Sequence, residues 1–224
     1  MSLSTKDKKM RNLKQSLCVE DFLRQVFLVP LTGENLDELL NLTQDFAPKL
    51  KEHKFILEFT ECKSEPNLID EIRYEFNRLF VGPKRPKAEP YESVYFDYQT
   101  MFGAKTMQVR SFYESSGLKL EDAQLDKFPD DFIGYELQYL YFLSFSALKA
   151  KDEAKFNEIL RKKAEFIAAH PSQWFCKFAA RCDEHANLDV WKNFGGFLNL
   201  YLNSEMDALK SALKDPGIFK NLKE

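Results

Sequence analysis

Asp130 to Leu148 reads DDFIGYELQYLYFLSFSAL, and its pattern decides the fold. Apolar side chains fall at Phe132, Ile133, Leu137, Tyr139, Leu140, Tyr141, Phe142, Leu143 and Phe145, on nearly every side of a helix. A helix that is apolar all round has no face to offer water, so it belongs at the centre of a bundle. The rest of the chain supplies the helices that would surround it.

Downstream, Asp152 to Ala169 is amphipathic, with Phe156, Ile159, Leu160, Ala164 and Ile167 on its inner face. Its outer face offers Glu158 and Lys162 as an i,i+4 pair. Pro171 ends that helix and opens another through Trp174 and Phe178, and Asn187 or Asp189 starts a last one through Trp191, Phe194, Phe197, Leu200 and Leu202. Trp174 is expected in the core.

Upstream, Ser16 to Val29 reads as a helix stopped by Pro30, and Thr32 caps a second that ends near Asp45. A third is expected from Pro48 to about Phe59. A fourth, capped by Ser64, carries a stripe of Ile69, Ile72, Phe76, Leu79 and Phe80 and ends at Gly82-Pro83. Val81 to Pro90 holds three prolines and a glycine, so it is a loop with extended segments. Tyr91 to Tyr98 either stays extended or begins a short helix, and Thr100 to Ser116 is helical up to Gly117. Leu118 to Phe128 is a polar connector.

The prediction is an all-α protein, a single globular bundle of about ten helices with the apolar helix of 130–148 at its centre. It divides into a basic flexible tail (1–14), an N-terminal half (15–117), a connector or hinge (118–128) and a C-terminal half (129–224).

Composition agrees with this reading. The 224 residues hold 21 Phe against 8 Gly and 9 Pro, which favours helices packed through bulky side chains over a turn-rich β protein. The formal charge of -3 gives no argument for nucleic acid or anionic membrane as a partner. Cys18, Cys62, Cys176 and Cys182 form no CxxC and read as buried thiols in a reducing compartment. No apolar run approaches the ~18 residues of a membrane span, and no apolar core follows the basic first residues as a signal peptide would require. The expectation is a cytoplasmic protein.

The motifs of common catalysis are missing. The sequence has no P-loop, GxGxxG, HExxH or GxSxG. His53, His170 and His185 are far apart, and His170 at a helix junction is expected to bond a free carbonyl. Neighbouring Asp130 and Asp131 diverge by ~100° on a helix, so they do not form a proton-sharing dyad. Acidic side chains in a first helical turn ordinarily complement the macrodipole. No catalytic residue, metal ligand or cofactor site is assigned.

Five segments, in order, resemble a known family. They are Tyr74 to Pro83 (YEFNRLFVGP), Pro90 to Tyr95 (PYESVY), Val109 to Tyr113 with Gly117, Pro129-Asp130-Asp131 with Glu136-Leu137, and His170 to Trp174 (HPSQW). Together they are similar to the signature segments of the TorD/DmsD family of redox-enzyme maturation chaperones, over roughly residues 70–180. The resemblance implies an all-helical cytoplasmic chaperone. Its partners would be the twin-arginine signal peptide, or the apo-form, of a molybdenum-containing catalytic subunit, held before cofactor insertion and export. It also implies a monomer able to exchange halves about the 118–128 connector. The sequence departs from the family at Asp131, where a His is usual, and at Tyr139-Leu140, where an aromatic-Met pair is usual.

The resemblance suggests a site at which carboxylates meet arginines beside a hydrophobic groove, since a guanidinium fork matches a carboxylate and an apolar peptide helix fits a groove. Asp130, Asp131, Glu92 and Glu136 are the candidate carboxylates. Phe76, Leu79, Phe80, Tyr91 and Tyr95 are the candidate groove, with Pro83, Pro90 and Pro129 stiffening the loops. Each has a competing role: core packing for Phe76, Leu79 and Phe80, and an internal Arg78–Glu136 pair. Two other functions stay open: assembly of a nitrate-reductase-type subunit without such a signal, and a small helical nucleotide-using enzyme.

Overall fold

The computed structural model describes residues 5–83, 85–96, 102–120 and 128–213. Ten α-helices are present among them. In chain order they are α1 (Thr5–Leu28), α2 (Gly33–Leu42), α3 (Pro48–Lys51), α4 (Lys54–Glu61), α5 (Asn67–Phe76), α6 (Ala104–Ser115), α7 (Ile133–Leu148), α8 (Glu153–Ala169), α9 (Pro171–His185) and α10 (Asp189–Leu213). No strand forms among the described residues; one isolated antiparallel bridge joins Tyr91 to Phe132.

The apolar segment that predicted a central helix is α7. It packs between α1 and α8, while α10 packs against α9 and α4. Gly134 lies where α1 crosses α7: a Cβ there would come within 2.9 Å of Leu28 Cδ2 and 2.5 Å of Phe132 Cε1. Gly195 does the same for α9 and α10, because a Cβ would meet Ala179 Cβ at 2.9 Å. The many Phe side chains interlock where these helices converge. Phe55 touches Phe22, Phe59, Phe194 and Phe197 at centroid distances of 5.1–6.1 Å.

Several boundaries differ from the sequence reading. α1 begins at Thr5, inside the segment expected as a flexible tail, and Leu13 on that stretch is buried. The stretch after Pro48 is broken: His53 accepts the Phe55 N–H through its own side chain and starts α4 as a separate helix. α5 starts after Pro66, not at a Ser64 cap. α5 then widens into a π turn over Asn77–Val81, closed by Gly82 at φ 90°. Thr32 does cap α2, in a reciprocal box with Asn35.

Lys162 donates to Ser115 O, and Lys155 is the partner of Glu158. Cys62 and Cys182 are buried, but Cys18 is half-buried and Cys176 is exposed. Residues 121–127 of the expected hinge lie outside the described residues, as do 97–101 of the segment before α6 and 214–224 at the C-terminus. Among the described residues no helix is long and apolar enough to cross a membrane.

One buried cluster was not anticipated. Lys163 of α8 is fully buried and binds Glu20 of α1 at 2.7 Å, Glu205 of α10 at 2.5 Å and Ser144 of α7 at 2.7 Å. Tyr201 donates to Glu20 at 2.8 Å. Two carboxylates and two hydroxyls thus fix four helices about one ammonium.

Candidate functional site

The family-like segments around residues 90–95 and 129–136 meet in a buried polar seam. Tyr91 is extended, and a turn closed by Phe132 N–H donating to Pro129 O at 3.0 Å brings the 131–133 backbone against it. Ile133 N–H donates to Pro90 O at 3.0 Å, and Glu92 N–H donates to Asp131 O at 3.1 Å. A short 3₁₀ turn, Glu92–Tyr95, follows.

Each carboxylate in the seam has a specific internal role. Asp131 accepts the Ser93 N–H at 2.6 Å with one oxygen and the Thr106 hydroxyl at 2.7 Å with the other. Asp130 takes the Arg110 guanidinium in a fork, at 2.7 and 3.1 Å, and its carbonyl accepts from Tyr113 at 2.9 Å. Glu92 lies 2.6 Å from His170 Nδ1 and 3.2 Å from Lys105 Nζ. Glu136 accepts the Trp174 indole N–H at 3.1 Å. Burial, followed by the nearby Glu92 carboxylate, pushes the Glu136 carboxyl well above its ordinary range, so it holds a proton more readily than a free carboxylate.

These placements revise the expected carboxylate site. Asp130, Asp131, Glu92 and Glu136 are all buried, at 2%, 0%, 0% and 0% exposure. Charges taken from water need close partners: Asp130, Asp131 and Glu92 have theirs inside the protein, whereas Glu136 has the Trp174 indole on one oxygen and, among the described residues, none on the other. Asp130 and Asp131 precede α7, whose first helical residue is Ile133, so they are not first-turn residues facing a helix dipole. Arg78 pairs with Glu75 at 2.6 and 2.7 Å, not with Glu136, and also donates to His185 O. Glu75 accepts the Asn187 N–H at 2.5 Å, which ties α5 to the α9–α10 junction. His170 bonds a carboxylate rather than a free carbonyl. Among the described residues no three His, Cys, Asp or Glu side chains converge to hold a metal ion.

The aromatic candidates divide. Leu79 and Phe80 are buried, as core packing required. The π turn explains how two adjacent residues can both point inward after the regular stripe of α5. Tyr91 is buried against Phe128 and Phe132, and burial pushes its hydroxyl up to about 12. Tyr95 is half-buried beside Trp174 and donates to Glu89 O at 3.0 Å. Pro129 is buried. Trp174 is in the core, fully buried.

Phe76 has a different place. It is half-buried and lines an apolar groove of ≈ 380 Å³ between the end of α1, α2 and the α5–π-turn segment. Val29, Leu31, Val81 and Phe128 extend the lining. Val29 and Val81 remain 44% and 49% exposed, so this apolar surface faces solvent. Arg73 is its one charged lining residue among the described residues, and Asp70 holds it at 2.7 Å.

Sequence reasoning identified Phe76 but missed Val29, Leu31 and Phe128. The signal was present in Val29-Pro30-Leu31, an apolar pair astride a proline with no helix to bury it. Lys163 was missed because its neighbours Leu160, Ala164 and Ile167 read as a continuous apolar stripe.

Comparison with known proteins agrees with the sequence resemblance. The family model described as "Nitrate reductase delta subunit" matches residues 34–180. Chaperone protein TorD of Vibrio cholerae serotype O1 (strain ATCC 39541 / Classical Ogawa 395 / O395) is 32% identical over 114 residues, 51% of this chain and 51% of that protein. The protein of the same name from strain M66-2 aligns with the same figures, so the chain spans about half the length of these curated relatives. Chaperone protein TorD of Aliivibrio salmonicida (strain LFI1238) is 24% identical over 200 residues, 84% of this chain and 91% of that protein. With the family match running across most of the helices that build both seam and groove, the chain belongs to the nitrate reductase delta subunit family, the family of the TorD chaperones.

Proposed function

We propose that this protein is a cytoplasmic chaperone for a molybdenum-containing oxidoreductase. It binds the twin-arginine signal peptide of the catalytic subunit, or the apo-subunit itself, before cofactor insertion and export. The observation that carries this reading is the solvent-facing apolar groove on a chain of the TorD family. Its volume of ≈ 380 Å³ takes several apolar side chains of a peptide helix but not a whole folded domain. The role is binding, with no chemical step assigned.

In this reading the residues expected from the sequence act at two levels. Phe76 contacts the client directly. Glu92, Asp130, Asp131 and Glu136, with Pro129, Tyr91 and Tyr95, hold the seam, while Leu79 and Phe80 pack beneath the groove. Each half contributes, because Trp191 of the C-terminal half lines the groove with Phe27 and Phe76 of the N-terminal half, and Phe128 enters from the connector. The family description, which names a nitrate reductase subunit, favours a nitrate-reductase-type catalytic subunit as a second class of client.

Titration calorimetry with twin-arginine signal peptides of molybdoenzyme subunits tests the proposal. Saturable binding to at least one, lost when the apolar segment of the peptide is replaced by polar residues, is the expected result. Absence of binding to every such peptide and to the apo-subunits would overturn it.

A further inference from the structure

A second apolar surface lies where α6 begins, built from residues that line no part of the groove. Phe96, Phe102 and Met107 are 37%, 61% and 54% exposed. Lys105 ties them together: its ammonium lies 4.7 Å from the Phe96 ring centroid, and Phe102 and Met107 stand on either side of it in the chain. Phe102 has φ 61°, a left-handed conformation uncommon outside glycine. That backbone carries a ring which packs into no core.

Cations surround this surface. Lys177 of α9 lies over the Phe96 ring at 3.9 Å. Arg181, one turn further along α9, lies 6.0 Å from the Tyr95 ring and binds Glu89 at 3.0 Å. Arg85 takes the other oxygen of Glu89, and Lys87 stands exposed on the same loop. Lys105 binds Glu92 at 3.2 Å. Both carboxylates are buried, so five cations stand over two acids and the charge turned outward is positive. Lys87 and Lys177 form no ion pair among the described residues.

We propose that this face docks on an anionic phospholipid surface, with Phe102 and Met107 entering the headgroup layer and the surrounding cations meeting the phosphates. Exposed apolar side chains flanked by lysines suit such an interface, where burial and charge act together. Nucleic acid fits less well. A base needs an open ring face to stack on, and two ammoniums already lie over Phe96. Both arginines are also engaged by Glu89. The net charge of -3 does not oppose docking, because charges more than ~10 Å from the surface are screened at 0.1 M salt. Groove and seam take no part, so this inference stands apart from the client reading.

Flotation of the full chain with vesicles tests it, using phosphatidylcholine alone and an equal mixture with phosphatidylglycerol. The protein should bind the mixed vesicles only, and less as salt rises. Lys87→Gln/Lys177→Gln should weaken this binding ~25-fold, at ~5-fold per cation. Phe102→Asn/Met107→Gln should weaken it ~10-fold or more through lost apolar burial, and Asn tolerates the left-handed conformation, so the fold is kept. Val29→Glu, in the groove, should leave vesicle binding as it is. Equal binding to phosphatidylcholine, or full binding by both double variants, would overturn the inference. So would equal affinity for a DNA duplex that Phe102→Asn/Met107→Gln leaves unchanged, which would make nucleic acid the occupant.

Discussion

The seam around Glu92, Asp131 and Glu136 and the groove around Phe76 and Val81 differ in what they turn to solvent: the seam is polar and buried, with Ser93 Oγ, Glu136 Oε1 and His170 Nε2 lacking a hydrogen-bond partner among the described residues, and the groove is apolar and open. In the seam, Asp131 has a partner on each oxygen, Asp130 is forked by Arg110, and Glu92 sits against His170. In the groove, Val29 and Val81 are left roughly half exposed. A buried charge without partners is costly, whereas exposed apolar surface is tolerated and is a resource for association. The family-like motifs thus build the buried frame, and less distinctive aliphatic residues build the exposed apolar surface proposed as the client site.

The comparison can be broken most forcefully at Asp131. Asp131→Ala leaves the Ser93 N–H and the Thr106 hydroxyl buried without an acceptor, each costing ~1–3 kcal/mol. Urea unfolding should show a loss of ~2–5 kcal/mol in total, while the protein that remains folded binds peptide as before. A stable variant with weakened binding would move the seam from frame to contact surface.

Val81→Glu probes the other side. Stability should change by no more than ~0.5 kcal/mol, as for exposed positions, while peptide affinity falls at least ~10-fold, or ~1.4 kcal/mol. Thr32→Ala removes the side-chain acceptor at the start of α2 and should cost ~1 kcal/mol in a thermal melt. Because α2 forms the groove edge, a modest loss of affinity should accompany it.

The subtlest test uses pH. Glu136 has a folded-state value raised above its unfolded one, so the folded state binds its proton more tightly. The stability this gives is complete below the unfolded value of ~4.3 and is lost as pH rises through the folded one. Glu136→Gln keeps an acceptor for Trp174 and cannot ionise, so its stability should decline less over that rise. Parallel pH profiles for the two proteins would show that Glu136 does not titrate differently on folding.

Much of this was legible beforehand, for reasons that can be located. The all-round apolar pattern of 130–148 marked the central helix because no other placement buries Leu137, Tyr139 and Leu140 together. Thr32, Asp152 and Pro171 marked helix starts through local chemistry that needs no tertiary information. The Pro48 stretch failed because His53 caps α4 with its side chain, a role read from geometry and not from periodicity. The burial of the carboxylates was not legible for a related reason: whether Asp130 faces solvent or Arg110 depends on a partner twenty residues away. The groove was half legible, since Phe76 belongs to a recognisable helix whereas Phe128 reaches it only by tertiary packing.

The most direct test is amide hydrogen exchange of the full-length protein with and without a saturating twin-arginine peptide. Added protection should concentrate in the end of α1, in α2 and in the α5–π-turn segment through Val81, leaving residues 91–95 and 129–136 as slow to exchange as in the free protein. Protection gained at 91–95 and 129–136, with the groove unchanged, would contradict the division between frame and contact surface.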